Sequence, residues 1–247
     1  MDAMAMSGQA GEVRTLVADA DLMVRALPGT NARLVLSFTG VQHGMGQIPA
    51  DEFIGSAAGA GRNHVLFVSD LARTWFTRAG LQERIVDIVT HYAAEHGIAD
   101  MAAIGNSMGG YGALLLSDRL PLSVVAAFAP QVSMDATVVA EPRWPEFRAG
   151  FGPDLPASVA GPVAAARGTV FVTMGAQDAL DRRHMALLPE AAHVHRFLLR
   201  GCGHNTASFL KERGVIREVV AAMLAGEVDR VRALYAGVGL AEPEGAA

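Results

Sequence analysis

The stretch AIGNSMGGYGALLLS (residues 103–117) decides the fold, because it places one serine among four glycines between an apolar run and a helical run. A simple turn requires one glycine, so the four glycines in this stretch indicate an additional structural constraint. Gly-x-Ser-x-Gly between a buried strand and a helix is typical of a strained turn that lifts a serine hydroxyl above the carboxyl edge of a sheet. Gly105 and Gly109, two residues before and after Ser107, remove the side chains that would clash there. The pattern therefore predicts that Ser107 is a nucleophile.

Strand and helix patterns alternate along the rest of the chain. The alternating residues 12–28 predict an antiparallel strand pair, and short apolar runs predict strands buried on both faces. These runs are residues 33–40, 64–70, 101–105, 122–130, 168–175 and 193–201, with helices predicted at 81–97, 111–120, 181–191 and 215–235. Strands that alternate with helices form right-handed crossover units, so the sequence predicts an α/β fold with a mostly parallel, mixed sheet.

A serine hydroxyl needs a base and a group that orients the base. Asp178 follows the strand at 168–175, and His204 follows the strand at 193–201. Both therefore lie at the carboxyl edge where Ser107 lies, in the order serine, acid, histidine. Asp181 follows the same strand as Asp178, but its place before RRHMALL favours a helix N-cap. We therefore predict Ser107, Asp178 and His204 as the catalytic set, with Asp181 as the alternative acid.

An oxyanion formed at this serine needs two backbone donors. The amide of Met108, directly after the nucleophile, is the first candidate. The second donor is expected from the loop TGVQHG, where we predict the amide of Val41, with that of Gln42 as the alternative. His43 in the same loop either contacts substrate or stabilises the loop.

The irregular segment 131–166 separates two predicted strands and contains one tryptophan and two phenylalanines. A loop this long inside a compact domain is usually functional or disordered, and its aromatic residues favour a small lid. Trp144 in this lid and Trp75 after the strand at 64–70 either line a substrate pocket or cover the core. We expect one domain over residues 12–235, with a disordered segment at 1–11 and a loose tail at 236–247.

Composition excludes several other function classes. The net charge is −5 and no block of basic residues occurs, which argues against a nucleic-acid partner. No apolar run reaches the length of a membrane span, and the N-terminus lacks the pattern of a signal peptide, so we expect a cytoplasmic protein without a membrane partner. Cys202 is the single cysteine and is expected to be a packed residue. His193 and His195 alone are too weak a signal for a metal site, and we predict no metal and no cofactor.

These motifs together resemble the α/β-hydrolase superfamily. The residues that carry the resemblance are GNSMGG at 105–110, GAQD at 175–178, GCGHN at 201–205 and FTGVQHG at 38–44. The resemblance implies an eight-stranded, mostly parallel sheet and an acyl-serine intermediate. Its elbow is similar to those of esterases, thioesterases and acyl-transferring relatives, although Thr-Gly stands where many members have His-Gly. The segment before the strand at 168–175 is too short for a full helical cap.

The expected activity is hydrolysis of a small carboxylic ester or thioester, without a cofactor. Two alternatives stay open at this point. An acyltransferase would use the same three residues with a sugar or other alcohol as acceptor, and a binding protein would keep the fold without the reaction. The oligomeric state is not indicated by the sequence.

Overall fold

The computed structural model describes residues 11–41 and 49–241, and these form one twisted sheet with helices on both faces. The predicted elements at 12–28 are β1 and β2, which pair antiparallel. The strands are β1 Arg14–Ala18, β2 Leu22–Leu27, β3 Arg33–Phe38, β4 His64–Asp70, β5 Asp100–Asn106, β6 Leu122–Phe128, β7 Thr169–Gly175, β8 Val194–Leu199 and β9 Leu240–Ala241.

The sheet order is β1-β2-β4-β3-β5-β6-β7-β8-β9. Strands β4, β3, β5, β6, β7 and β8 run parallel to one another, because each crossover carries the chain over one face of the sheet. Strand β4 pairs antiparallel with β2 on its other side. The predicted eight-stranded, mostly parallel sheet is confirmed in β1–β8. The two-residue β9, within the 236–247 segment for which the sequence predicted a loose tail, pairs antiparallel with β8. The rest of that tail from residue 242, and the predicted disordered segment up to residue 10, lie outside the described residues.

The helices cover two separate apolar cores, one on each face of the sheet. They are α1 Ile54–Ala57, α2 Leu81–Glu95, α3 Met108–Leu115, α4 Ala160–Ala165, α5 Ala179–Ala186, α6 Thr206–Glu212, α7 Ile216–Leu224 and α8 Val228–Ala236. The single helix predicted at 215–235 is wrong, because Gly226 adopts a φ of 72° and divides the segment into α7 and α8. In the residues described here, no helix combines the length and apolar character needed to cross a bilayer; the cytoplasmic location stays a prediction.

The segment 131–166 folds back over the carboxyl edge of the sheet. It contains a 3₁₀ helix, Pro145–Gly150, and α4. The amide of Val159 donates to the carbonyl of Val132, which ties the end of the segment to its start. A Cβ on Gly152 would lie 2.1 Å from the carbonyl oxygen of Thr77, so glycine is required where the segment meets the loop after β4. The segment therefore lies against the edge where the candidate residues meet.

Candidate active site

Ser107 lies in the sharp turn between β5 and α3, as predicted. Its φ of 54° and ψ of −118° are unfavourable for a residue with a side chain. A Cβ on Gly105 would lie 2.2 Å from the carbonyl of Gly109, and a Cβ on Gly109 would lie 2.1 Å from the carbonyl oxygen of Phe38. The two glycines are therefore required for the turn to close against the sheet, which holds the Ser107 side chain above it.

His204 lies in the loop between β8 and α6 and contacts the serine. Its Nε2 atom is 3.2 Å from Ser107 Oγ, which is hydrogen-bonding distance. Strands β5 and β8 are separated by β6 and β7 in the sheet, so the contact depends on both loops leaving the same edge. The structure thus brings together two of the three predicted catalytic residues.

The carboxylate that faces His204 belongs to Asp181, and this corrects the prediction of Asp178. Asp181 Oδ1 lies 2.8 Å from His204 Nδ1, and the Asp181 side chain is fully buried. Asp178 is instead the N-cap of α5, where its Oδ1 accepts from the amides of Leu180 and Asp181. The two aspartates have exchanged positions relative to the prediction, because α5 begins at Ala179 and places Asp181 in its first turn.

Two residues that the sequence did not indicate, Glu141 and Arg143, complete this cluster. Both lie in the segment 131–166. Arg143 Nη2 donates to Glu141 Oε2 at 2.5 Å, and its Nη1 lies 3.2 Å from Asp181 Oδ1 and 2.8 Å from His204 Nδ1. His204 Nδ1 can donate to Asp181 or accept from Arg143, but a single nitrogen cannot do both. When Asp181 is the partner, Nδ1 carries the hydrogen and Nε2 presents a lone pair to Ser107 Oγ.

Glu141 is a buried carboxylate with strong partners. The amide of Val132 donates to His184 Nδ1, so the hydrogen of the neutral His184 ring is on Nε2, which lies 3.0 Å from Glu141 Oε2. Burial acts to raise the pKa of Glu141, but hydrogen bonds from His184 and Arg143 outweigh it and lower the pKa to about 2. Burial likewise acts to lower the pKa of Arg143, and Glu141 and Asp181 outweigh it and raise the pKa. The ion pair therefore stays charged near neutral pH.

Asp178, Asp181 and His204 also form a group with metal-ligand geometry. Their ligand atoms lie within 4.8 Å of one another. The Nη1 atom of Arg143 lies within 3.8 Å of an atom of each. A guanidinium at that place repels a metal cation, so the donor set fits an arginine better than a metal ion.

Met108, the first predicted oxyanion donor, directly follows Ser107, and the loop that carries the second, Val41, approaches the elbow. Met108 is the first residue of α3, where helical amides have no carbonyl partner inside the helix. A Cβ on Gly40 would lie 3.1 Å from the Asn106 carbonyl oxygen, so the loop that carries Val41 runs against the elbow. The Val41 carbonyl accepts from Arg73 Nε at 3.0 Å. Gln42 and His43 lie outside the described residues, and their roles stay predictions.

The two tryptophans differ in what they contact. Trp75 is fully buried, and its Nε1 donates at 3.1 Å to Oε1 of Gln131, which the sequence argument overlooked. Gln131 Nε2 in turn lies 3.3 Å from Ser107 Oγ. Trp144 is half-buried beside Phe147. Gln131 directly follows the Ala-Pro that ends the β6 region, so its place at the carboxyl edge was a usable signal.

The remaining candidates lie apart from this cluster or pack as expected. Cys202 is buried, and burial raises the pKa of its thiol, which suits a packed residue better than a nucleophile. His193 Nε2 contacts the carbonyl of Val163, and the His195 ring lies against Phe171.

No family model and no curated protein sequence matches the chain. Solved structures match most of it. The capsule O-acetyltransferase of Neisseria meningitidis serogroup A matches with a TM-score of 0.63 at 12% identity, over 87% of this chain and 97% of that one. The fluorophosphonate-binding serine hydrolase F of Staphylococcus aureus matches with a TM-score of 0.60 at 11% identity, over 86% and 97%. An esterase of Pyrococcus furiosus matches with a TM-score of 0.56 at 14% identity, over 87% and 93%.

The chain has the α/β-hydrolase fold. The resemblance predicted from GNSMGG and the motifs after β3, β7 and β8 is confirmed at the level of the fold. In an α/β-hydrolase the nucleophile, acid and histidine follow in that chain order. Ser107, Asp181 and His204 follow β5, β7 and β8 in the same order and meet at one edge.

Proposed function

We propose that this α/β-hydrolase is a serine hydrolase that cleaves a carboxylic ester or thioester through an acyl-serine. The observation that carries the proposal is the continuous chain of contacts from Ser107 Oγ through the His204 ring to Asp181 Oδ1, at 3.2 and 2.8 Å. A serine held in a strained turn, with a base and an orienting carboxylate, is the arrangement that acyl transfer requires. No cofactor is needed for this chemistry.

Each residue has a defined role in the proposed reaction, and His204 acts in turn as base and acid. Ser107 Oγ attacks the acyl carbon while His204 Nε2 takes its proton, and Asp181 holds the imidazole with Nδ1 protonated. The amides of Met108 and Val41 donate to the carbonyl oxygen as it becomes negative. His204 returns the proton to the leaving alcohol or thiol. Water, with His204 again as base, then releases the acid and restores the serine.

Transfer of the acyl group to an alcohol is the second candidate. It uses the same acyl-serine, with a hydroxyl group in the place of water. A capsule O-acetyltransferase shares the fold of this chain, which supports this candidate. Steady-state release of product with and without an added sugar or simple alcohol separates the two, since a transferase should form the new ester faster than the acid.

The deciding experiment is intact-mass spectrometry after exposure to a fluorophosphonate. We expect one adduct on the wild type and none on Ser107→Ala. Ser117→Ala is the matched control, because Ser117 is also buried but donates to the carbonyl of Leu114, away from the site; it should still be labelled. A folded wild type that takes no label would favour the binding-protein alternative.

A further inference from the structure

The Ser107 oxygen has a second side-chain neighbour besides His204. Gln131 Nε2 lies 3.3 Å from Ser107 Oγ, and Trp75 Nε1 lies 3.1 Å from Gln131 Oε1. An indole N–H can only donate, so the amide oxygen of Gln131 must face Trp75 and its NH₂ must face the serine. Gln131 and Trp75 are both fully buried. The Ser107 oxygen therefore accepts from Gln131 while its proton points to His204.

The backbone at Trp75 has a strained conformation, and its indole faces Gln131. Trp75 and Phe76 have φ values of 55° and 59°. Asp70, at the end of β4, holds this loop, because its Oδ2 accepts from the amide of Thr74 at 2.7 Å, the hydroxyl of Thr74 at 2.9 Å and the amide of Phe76 at 2.9 Å. Strain of this kind persists only where surrounding contacts enforce it. Here Asp70 holds the loop, and the Trp75 indole that the loop carries contacts Gln131 beside the nucleophile.

We infer that Gln131 is a catalytic hydrogen-bond donor to the reacting oxygen, that it acts mainly in the breakdown of the acyl-enzyme, and that Trp75 positions it. The inference rests on the proposed serine-hydrolase function and assigns a group beyond the Ser107–His204–Asp181 set.

Gln131 should act mainly in deacylation because the Ser107 oxygen changes its strength as a hydrogen-bond acceptor during the reaction. In the free enzyme it is a hydroxyl, which is a good acceptor, and in the acyl-enzyme it is an ester oxygen, which is a poor one. During deacylation water adds to the acyl carbon and gives a proton to His204 Nε2. The bond from carbon to Oγ then breaks, its electron pair stays on Oγ, and Oγ takes the proton back from Nε2. The hydrogen bond from Gln131 to the Ser107 oxygen therefore strengthens more between ground state and transition state in deacylation than in acylation, so it lowers the barrier of deacylation more.

The test compares wild type with Gln131→Met, which keeps the volume but removes the donor. p-Nitrophenyl acetate serves as probe, with the p-nitrophenolate burst reporting acylation and the steady state reporting deacylation. We expect deacylation to slow by about 10- to 100-fold, the range for loss of a hydrogen bond to a developing charge, and acylation to slow clearly less. Intact mass should then show acetyl-Ser107 accumulating in the variant. Gln82→Met, at another buried glutamine that accepts from Arg119, measures the general cost of the substitution.

Trp75→Phe should give a smaller slowing of deacylation, because the amide is then free to turn over, and it should add little to Gln131→Met. A merely structural role for Gln131 would slow both steps equally, and that result, or unchanged deacylation, would overturn the inference. If the variant gives either of those results while the wild type still forms the acyl-enzyme at Ser107, the proposed function remains supported and only the role of Gln131 is rejected. A wild type that forms no adduct at Ser107 with either p-nitrophenyl acetate or a fluorophosphonate overturns both.

Discussion

The two aspartates after β7, Asp178 and Asp181, lie three residues apart and have different functions. Asp181→Asn should lower the rate of ester cleavage by roughly 10⁴-fold, because the asparagine no longer holds His204 with Nδ1 protonated. Asp178→Ala should instead cost about 0.5–2 kcal/mol of stability through loss of the α5 cap, with a far smaller loss of activity. Turnover of p-nitrophenyl acetate and urea unfolding of both variants check this. An inactive Asp178→Ala beside an active Asp181→Asn would restore Asp178 as the acid.

Single residues also show where the sequence was informative. Ser107 and His204 could be predicted because glycine spacing and strand ends mark them locally. The choice between Asp178 and Asp181 depended on the helix N-cap, which lies at Asp178, three residues before the predicted one. Helix boundaries are weakly encoded in the sequence. Glu141 and Arg143 meet the site only through tertiary contacts, so no local pattern marks their function. Gln131 directly follows the β6 region, and its place at the carboxyl edge could have been used.

At the scale of elements, the elbow is the part most sensitive to added volume. Gly109→Ala places a Cβ about 2.1 Å from the carbonyl oxygen of Phe38, at the end of β3, which neither backbone can accommodate without moving. We expect destabilisation beyond ~3 kcal/mol or no folded protein, because both the turn and the β3 contact are disturbed. Gly161→Ala in α4 is the control, since a Cβ there meets nothing within 4 Å. Urea unfolding compares the two, and equal stabilities would contradict the packing argument.

The segment 131–166 contributes charge as well as cover. Arg143→Met leaves the buried carboxylates of Glu141 and Asp181 without their cation, which should cost about 3–5 kcal/mol. Arg143 donates to both oxygens of Glu141, from Nε at 2.8 Å and from Nη2 at 2.5 Å. Arg143→Lys should recover only part of the stability, because a single ammonium cannot make both bonds and reach Asp181 as well. Arg196→Met, which breaks the more exposed pair with Glu190, should cost less than about 1 kcal/mol. Thermal or urea unfolding ranks the stabilities of the three variants. An Arg143→Met protein as stable as the wild type would contradict the stabilising role of this ion-pair cluster.

For the whole molecule, the alternation of strands and helices determined the architecture. Right-handed crossovers leave few arrangements for such a chain, and the carboxyl-edge rule then brings Ser107 and His204 together across β6 and β7. The division at Gly226 and the added β9 were not predicted, because an amphipathic pattern continues through the break and two residues carry no pattern at all. Long-range order was thus easier to predict than the places where elements end.

The response of the whole molecule to acid follows from the buried Glu141. In the unfolded chain its carboxyl has the ordinary pKa of 4.5, and in the fold the pKa is lowered to about 2. A lowered pKa in the folded state stabilises the fold fully above the unfolded value, and that contribution is lost as pH falls from about 4.5 towards 2. Asp70 acts in the opposite sense, because burial raises its pKa, so total stability alone does not isolate Glu141.

The difference in unfolding free energy between wild type and Glu141→Gln isolates the contribution of the Glu141 carboxylate. Urea unfolding at several pH values should show the largest stability difference near neutral pH and a steady decrease below about pH 4.5. Below that pH the Glu141 carboxyl of the unfolded wild type takes up a proton while the folded carboxylate stays charged down to about 2, which favours unfolding of the wild type and not of the amide variant. Glu190→Gln, at a carboxylate whose side chain is 85% exposed, should give a small difference that hardly changes with pH. A Glu141→Gln difference that stays constant down to pH 2 would mean that the side chain contributes shape and hydrogen bonds to the fold, and no net charge interaction.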